Sequence, residues 1–237
     1  MWRAPPGADE DGTTMASVGL PGSDLDDEQV RRGQRMPRSQ RRAQILDAAQ
    51  QVFVESGYHL AVMDEIAERA GVSKPVLYQH FPSKLELYLA LIDAFTDEML
   101  GLLRDALAAT NDNKARVMAT IATYFEYVSQ EGGSYRLIFE SDLRNEPEVS
   151  SRLEGFSVAC AAAMAEVISA DTSLSAEDAH LLGMALTGMA QIAARDWLAQ
   201  GGPVPREEAA AVVGQLAWRG LGGFPKRGRE GRPAAAG

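Results

Sequence analysis

A single cysteine, Cys160, in 237 residues rules out an intrachain disulfide. A lone thiol in an apolar run reads as a small buried hydrophobe of a reducing compartment. The three histidines are widely spaced, so no metal-ligand set arises and no cofactor is expected. A Ser/His/Asp set, a phosphate loop and paired inward carboxylates are all missing, which argues against an enzyme. The first eleven residues have no apolar core of a signal peptide. No run of 18 apolar residues occurs, so no membrane span is expected and the default location is the cytoplasm. Alternating β-branched runs bounded by hairpin turns are missing too, which leaves an all-α fold.

What is present is an uneven charge. The net charge is −10, which by itself argues against a polyanion binder. Residues 1–30 carry seven acids against Arg3, a balance of −6, whereas residues 31–84 carry nine bases against five acids, a balance of +4. A basic segment ahead of an acidic body suggests one end that faces a polyanion and one that does something else. Residues 1–36 are rich in Gly, Asp, Arg and Pro, and residues 225–237 in Lys, Arg, Gly, Pro and Ala. Both read as disordered tails.

Helical spacing fills the rest. From Arg41 onward, Ile45, Ala48, Ala49, Val52 and Phe53 recur three and four apart, until Gly57 stops the helix. A short helix over 63–70 ends at Gly71. Ser73 caps a second short helix with Pro75 in its first turn, and Ser83 caps a long one. Five more helices are expected at 113–130, 134–142, 147–170, 175–200 and 206–221. This makes about nine helices: a three-helix head over 37–84 on a larger body over 85–224.

The block from Gly57 to Leu87 carries the chemistry. Ile66 and Ala67 point a short helix inward, Gly71 permits a left-handed turn, Val72 plugs the angle and Leu77 anchors the second helix. Two short helices joined this way form a helix-turn-helix, whose second helix fits a major groove about 12 Å wide. The groove face holds Lys74, Pro75, Val76, Tyr78, Gln79 and His80. Gln79 matches adenine, Lys74 matches guanine, and Pro75 or Val76 matches a thymine methyl. Tyr78, His80 and Lys84 are placed for phosphates. His80 and Tyr78 have a structural reading as well, and for Phe81 the core reading is preferred. Arg41, in the arginine run 31–42, is either a solvated tail residue or part of a DNA-contacting arm.

The same block resembles the DNA-binding domain of the TetR family of regulators. The resemblance rests on Gly57-Tyr58, Asp64-Glu65-Ile66-Ala67, Ala70-Gly71-Val72-Ser73, Leu77-Tyr78-Gln79-His80-Phe81 and Ser83-Lys84. It departs at Ala61 and Val62, where the family has hydroxyl side chains, so no phosphate role passes to Val62. SKPVLYQHFPSKLELYLAL and SYRLIFESDLRNEPEV are similar to the actinobacterial fatty-acid-synthesis regulators of that family, the FasR type. That similarity, over about residues 30–224, implies a long-chain acyl-CoA effector and control of fatty-acid biosynthesis genes.

The body's apolar stripes are ordinary core, or they line a ligand cavity. One stripe holds Val117, Ile121, Tyr124 and Val128, another Leu153, Phe156, Cys160, Met164 and Val167, a third Leu182, Leu186, Met189 and Ala193. Nine methionines suit an adaptable cavity. Its expected lining is Met99, Leu103, Tyr124, Met164, Leu186 and Met189. Small residues in the last two helices, among them Gly183, Gly188, Ala209, Ala210 and Gly214, serve either intrachain packing or, as the resemblance implies, a two-fold homodimer interface. The reading is a dimeric regulator on a near-palindromic operator, switched by an apolar effector. Its rivals are a repressor of efflux or catabolic genes sensing a drug-like or aromatic ligand, with Glu98, Glu126 and Glu140 as candidate acids, and a purely architectural DNA binder.

Overall fold

A computed structural model describes residues 36–130, 135, 143 and 146–220. They hold eight helices and no strand. In chain order these are α1 (Arg38–Leu60), α2 (Met63–Arg69), α3 (Lys74–His80), α4 (Lys84–Ala108), α5 (Asn113–Val128), α6 (Pro147–Asp171), α7 (Ala176–Ala199) and α8 (Arg206–Arg219). The helix expected over 134–142 lies outside the described residues apart from Tyr135, and so do both expected tails. The chain divides into two units, 1–41 and 42–237. In the first, the Arg41 amide donates to the Pro37 carbonyl at 3.0 Å.

Gly57 behaves differently from the expectation. Its φ of 72° breaks α1, but one further turn follows and the helix closes at Leu60, with the Ala61 amide donating to the Gly57 carbonyl at 3.1 Å. Helix α2 ends in a Schellman motif. Gly71 takes φ 61° and donates to the Glu68 carbonyl, while Val72 donates to Ala67. Ser73 stands at the N-cap of α3, but its side chain makes no capping bond, contrary to expectation. Ser83 does cap α4, accepting from the Glu86 amide at 3.0 Å.

Two apolar clusters result. The first joins Ile45, Val52, Phe53, Ile66, Leu77 and Phe81 of the head to Leu87–Ile92 of α4 and to Leu143, Val149 and Leu153. The second joins Met99 and Leu103 of α4 to Ile121, Tyr124, Phe125, Phe156, Cys160, Met164, Ala190 and Ala194. Phe95 packs against both. The boundary expected between residues 84 and 85 therefore falls at the start of one continuous helix, because α4 is a wall of both cores.

Several small residues expected at a subunit interface serve intrachain contacts instead. A Cβ on Gly183 would meet the Ala161 carbonyl oxygen, and one on Gly214 would meet the Met118 sulfur at 2.6 Å. Ala194, Ala209 and Ala210 are buried in the second cluster. Helix α6 is, by length and composition, apolar enough to cross a bilayer, although no run of 18 apolar residues occurs. Its alanines account for this, while Phe156, Cys160 and Met164 turn into the core.

The Gly183 contact gives a direct check. Gly183→Ala places a methyl against backbone that cannot rotate away, and should cost about 1–3 kcal/mol. Urea unfolding would show it as a lower midpoint at unchanged slope, whereas Gly101→Ala, inside α4 with open space around it, should hold or raise the midpoint.

Candidate nucleic-acid interface and body cavity

Helix α3 is short, amphipathic and pinned from below. Leu77 is fully buried, and the Phe81 amide donates to its carbonyl at 2.9 Å. The Phe81 ring is also buried, with the Arg42 guanidinium 4.4 Å from its centroid. The opposite face is open. Ser73, Lys74, Pro75, Tyr78 and Gln79 are exposed, and Val76 and His80 are half-buried beside them. Of the expected groove-facing residues, Lys74, Pro75, Tyr78 and Gln79 thus lie open on one helix, with Val76 and His80 half-buried at its edges.

The two lysines differ sharply. Lys74 is on the surface, with its Nζ 2.8 Å from Asp64 Oδ1 and donating to Oδ2 at 3.1 Å. That hydrogen bond, then the charge of Asp64, raises the Lys74 pKa, so it stays a cation ready for exchange onto an anion. Lys84 is a strut. Its ammonium donates to the carbonyls of Tyr58 at 2.7 Å, His59 at 3.2 Å and Ala61 at 2.9 Å. It also lies 4.6 Å from the Tyr58 ring centroid. Its three N–H groups are committed to these carbonyls, which replaces the phosphate contact expected from sequence. Phe53, Tyr58 and Tyr88 pack at 5.2–5.8 Å between centroids below it.

Val62 is the N-cap of α2 without a capping bond, and it is exposed, as its apolar side chain dictates. Val62, Asp64, Tyr78, Pro82 and Ser83 line an open concavity beside α3. Arg69 bridges Glu55 at 2.7 Å and Glu65 at 3.3 Å, tying α2 to α1. Arg41 is half-buried in the opening turns of α1.

In the body, a cavity of about 330 Å³ opens between the end of α4, α5, the end of α6, the start of α7 and the end of α8. Of the six expected lining residues it takes only Met164 and Leu186. Met99 and Tyr124 border a separate void of about 10 Å³ with Phe95, Tyr127, Tyr135 and Phe156. Leu103 is buried core, and Met189 lines neither space. Val117, Ile121, Val167 and Leu182 of the apolar stripes line it as well, whereas Thr120, Ile168 and Trp218 belong to no stripe and meet there only in three dimensions.

Arg116 closes one side. Its Nε donates to the carbonyls of Leu107 and Thr110, and Nη1 to Asn113 and to Asp171 at 2.6 Å. Cys160 is buried, and burial pushes its thiol up to about 12, so it is inert packing. Glu98 and Glu126 are exposed rather than facing a cavity, and Glu140 lies outside the described residues. Among the described residues no cluster of His, Cys, Asp or Glu could hold a metal.

A short helix presented outward after a Gly-containing turn, with Lys74 and Gln79 on its open face, defines a helix-turn-helix DNA-binding protein. Comparison with known proteins places it more closely. The model of bacterial regulatory proteins of the tetR family matches residues 45–91. The HTH-type transcriptional activator FasR of Mycolicibacterium smegmatis is 45% identical over 195 residues, 82% of this chain and 89% of that one. A TetR-like regulator from Rhodococcus sp. RHA1 aligns with TM-score 0.62 at 29% identity, over 80% of this chain and all of the other. FadR from Bacillus subtilis, solved with stearoyl-CoA, shares the fold at TM-score 0.59 and 21% identity, over 76% of this chain and 98% of its own. The chain belongs to the TetR family: it is a DNA-binding transcriptional regulator and not an enzyme.

Two sets of variants separate the lysines. Lys84→Met keeps the aliphatic stem but loses the charged donors, and should lower stability by about 2 kcal/mol, read by thermal or urea unfolding. Lys74→Ala should leave stability unchanged, weaken duplex binding about fivefold or more and reduce the salt slope by about one, read by fluorescence anisotropy. Asp64→Asn, which frees Lys74, should tighten binding.

Proposed function

We propose that this regulator acts as a homodimer on a near-palindromic operator of fatty-acid biosynthesis genes, with its DNA affinity set by a long-chain acyl-CoA. The observation that carries the reading is the 45% identity to FasR across 82% of the chain. The apolar 330 Å³ cavity supports it, being at the small end of ligand sites, about 300–1,000 Å³. It has room for about ten methylene-sized groups of an acyl chain, with the rest of the chain and the nucleotide headgroup outside. The stearoyl-CoA in a protein of the same fold agrees with that chemistry. The contacts to DNA that we propose are Lys74, Pro75, Val76, Tyr78, Gln79 and His80, with Arg41 on the flanking backbone. A cytoplasmic location follows from a role in transcription. For the alternative of a drug-sensing repressor, Glu98 and Glu126 supply no buried acid for a cation, both being exposed.

For the dimer we favour α6 and α7 over the last two helices. Leu181, Met184, Gly188 and Ile192 make a stripe on α7 opposite its core face, and Leu181 and Ile192 are 67% and 61% exposed. Gly155, Val158 and Ala162 make the equivalent stripe on α6. On α8 the open positions are mostly Glu207, Glu208, Gln215 and Arg219. Doubling the α6–α7 pair gives a four-helix interface.

The test is operator binding with acyl-CoAs of graded length, on sites recovered by genome-wide mapping. A chain-length-dependent change in affinity of about tenfold is expected, a coupling near 1.4 kcal/mol. Indifference to every acyl-CoA would remove the effector reading. Sedimentation should show Ile192→Glu as a monomer and Val212→Glu as a dimer; the reverse would restore the last two helices as the interface.

A further inference from the structure

The 330 Å³ cavity contains one polar group that the fold leaves without a role. Thr120 lines it from α5, is only 5% exposed, and its hydroxyl is buried with no hydrogen-bond partner. A helical threonine commonly bonds back to a carbonyl one turn earlier, and Thr120 makes no such bond. Leaving a buried hydroxyl unmatched is unfavourable, whereas an apolar side chain of the same shape would be neutral or stabilising. The two charged residues at the cavity, Arg116 and Asp171, are paired with each other at 2.6 Å, and Arg116 is further held by Asn111 and Asn113. The rest of the wall is mainly aliphatic, with Trp218 at one edge. Among the described residues, therefore, no unpaired charge lines the cavity with Thr120.

We infer that Thr120 is a specificity-determining residue, and that the cavity takes an apolar chain bearing a neutral hydrogen-bonding oxygen, a hydroxyl or a carbonyl, which the Thr120 hydroxyl binds. The inference rests on the reading above that this cavity is the effector site, and names the group recognised there. A carboxylate or an amine would enter without a counter-charge and is disfavoured. At about 30 Å³ for each water-sized group, the volume holds roughly ten such groups, so medium-length probes are the right size.

The experiment is a titration of the full-length protein with 1-decanol and with 1-chlorodecane, read by the fluorescence of Trp218 with Trp218→Phe as the control. Thr120→Val should weaken decanol about five- to tenfold and leave chlorodecane unchanged or tighter. The unliganded variant should melt no lower than the parent, since its valine leaves no hydroxyl unmatched. A merely structural threonine would give the opposite melting shift and no difference between the probes. Equal effects on both probes, or a lower melting temperature, would overturn the role of Thr120 while leaving the operator assay with acyl-CoA to stand or fall separately. Failure of both probes to perturb Trp218 in the parent would remove the cavity as a ligand site, and the inference with it.

Discussion

Helix α4 is buried on every side over Leu87–Ile92, a run of six residues without a solvent face. An ordinary surface helix keeps a polar stripe; one that is apolar all round must be covered all round. Here the head helices cover one side, and Val149 and Leu153 of α6 belong to the same cluster. Each large side chain in that run contributes about 1.5–3 kcal/mol through burial. The head's apolar cluster is therefore completed by a helix whose second half, through Met99 and Leu103, lies in the body core. A rigid element common to both clusters is the kind of connection through which a cavity in one place and an exposed helix in another can affect each other.

On that base, the chemistry of the head follows from where water is. Lys84 sits over an aromatic cluster and turns its ammonium onto three carbonyls at the frayed end of α1, where the break at Gly57 leaves backbone acceptors open. Lys74 projects from the first turn of α3 into solvent, and its partner Asp64 is equally exposed. Such a surface pair is worth little in water, so a phosphate or a guanine edge can displace it at small cost. The one lysine fixes the geometry that the other uses.

Much of this was legible in the sequence. The 3.6-residue spacing gave all eight described helices, because each buries a stripe and is punctuated by Gly, Asn, Asp or Pro. The turn at Gly71 was readable because a left-handed residue there has one common solution. The open face of α3 followed from the single anchor Leu77. What escaped was set by contacts distant in sequence. Nothing local distinguishes Lys84 bound to carbonyls 23–26 residues away from a lysine waiting for phosphate. The cavity was misplaced because stripes identify which side of a helix is inward, but not where four helix ends fail to meet; Met99 and Tyr124 are inward and still tightly packed. Sequence left Gly183 and Gly214 open between packing and an interface, because their neighbours Ala161 and Met118 are distant along the chain.

The central claim is that α3 enters the major groove of duplex DNA. Chemical interference on a genomic site bound by the purified protein tests it most directly, since methylation at guanine N7 blocks the major groove and at adenine N3 the minor groove. Interference at guanine N7 in two clusters, about 10 base pairs apart from centre to centre, is the predicted result. Interference confined to adenine N3, or none in either groove, would contradict the account.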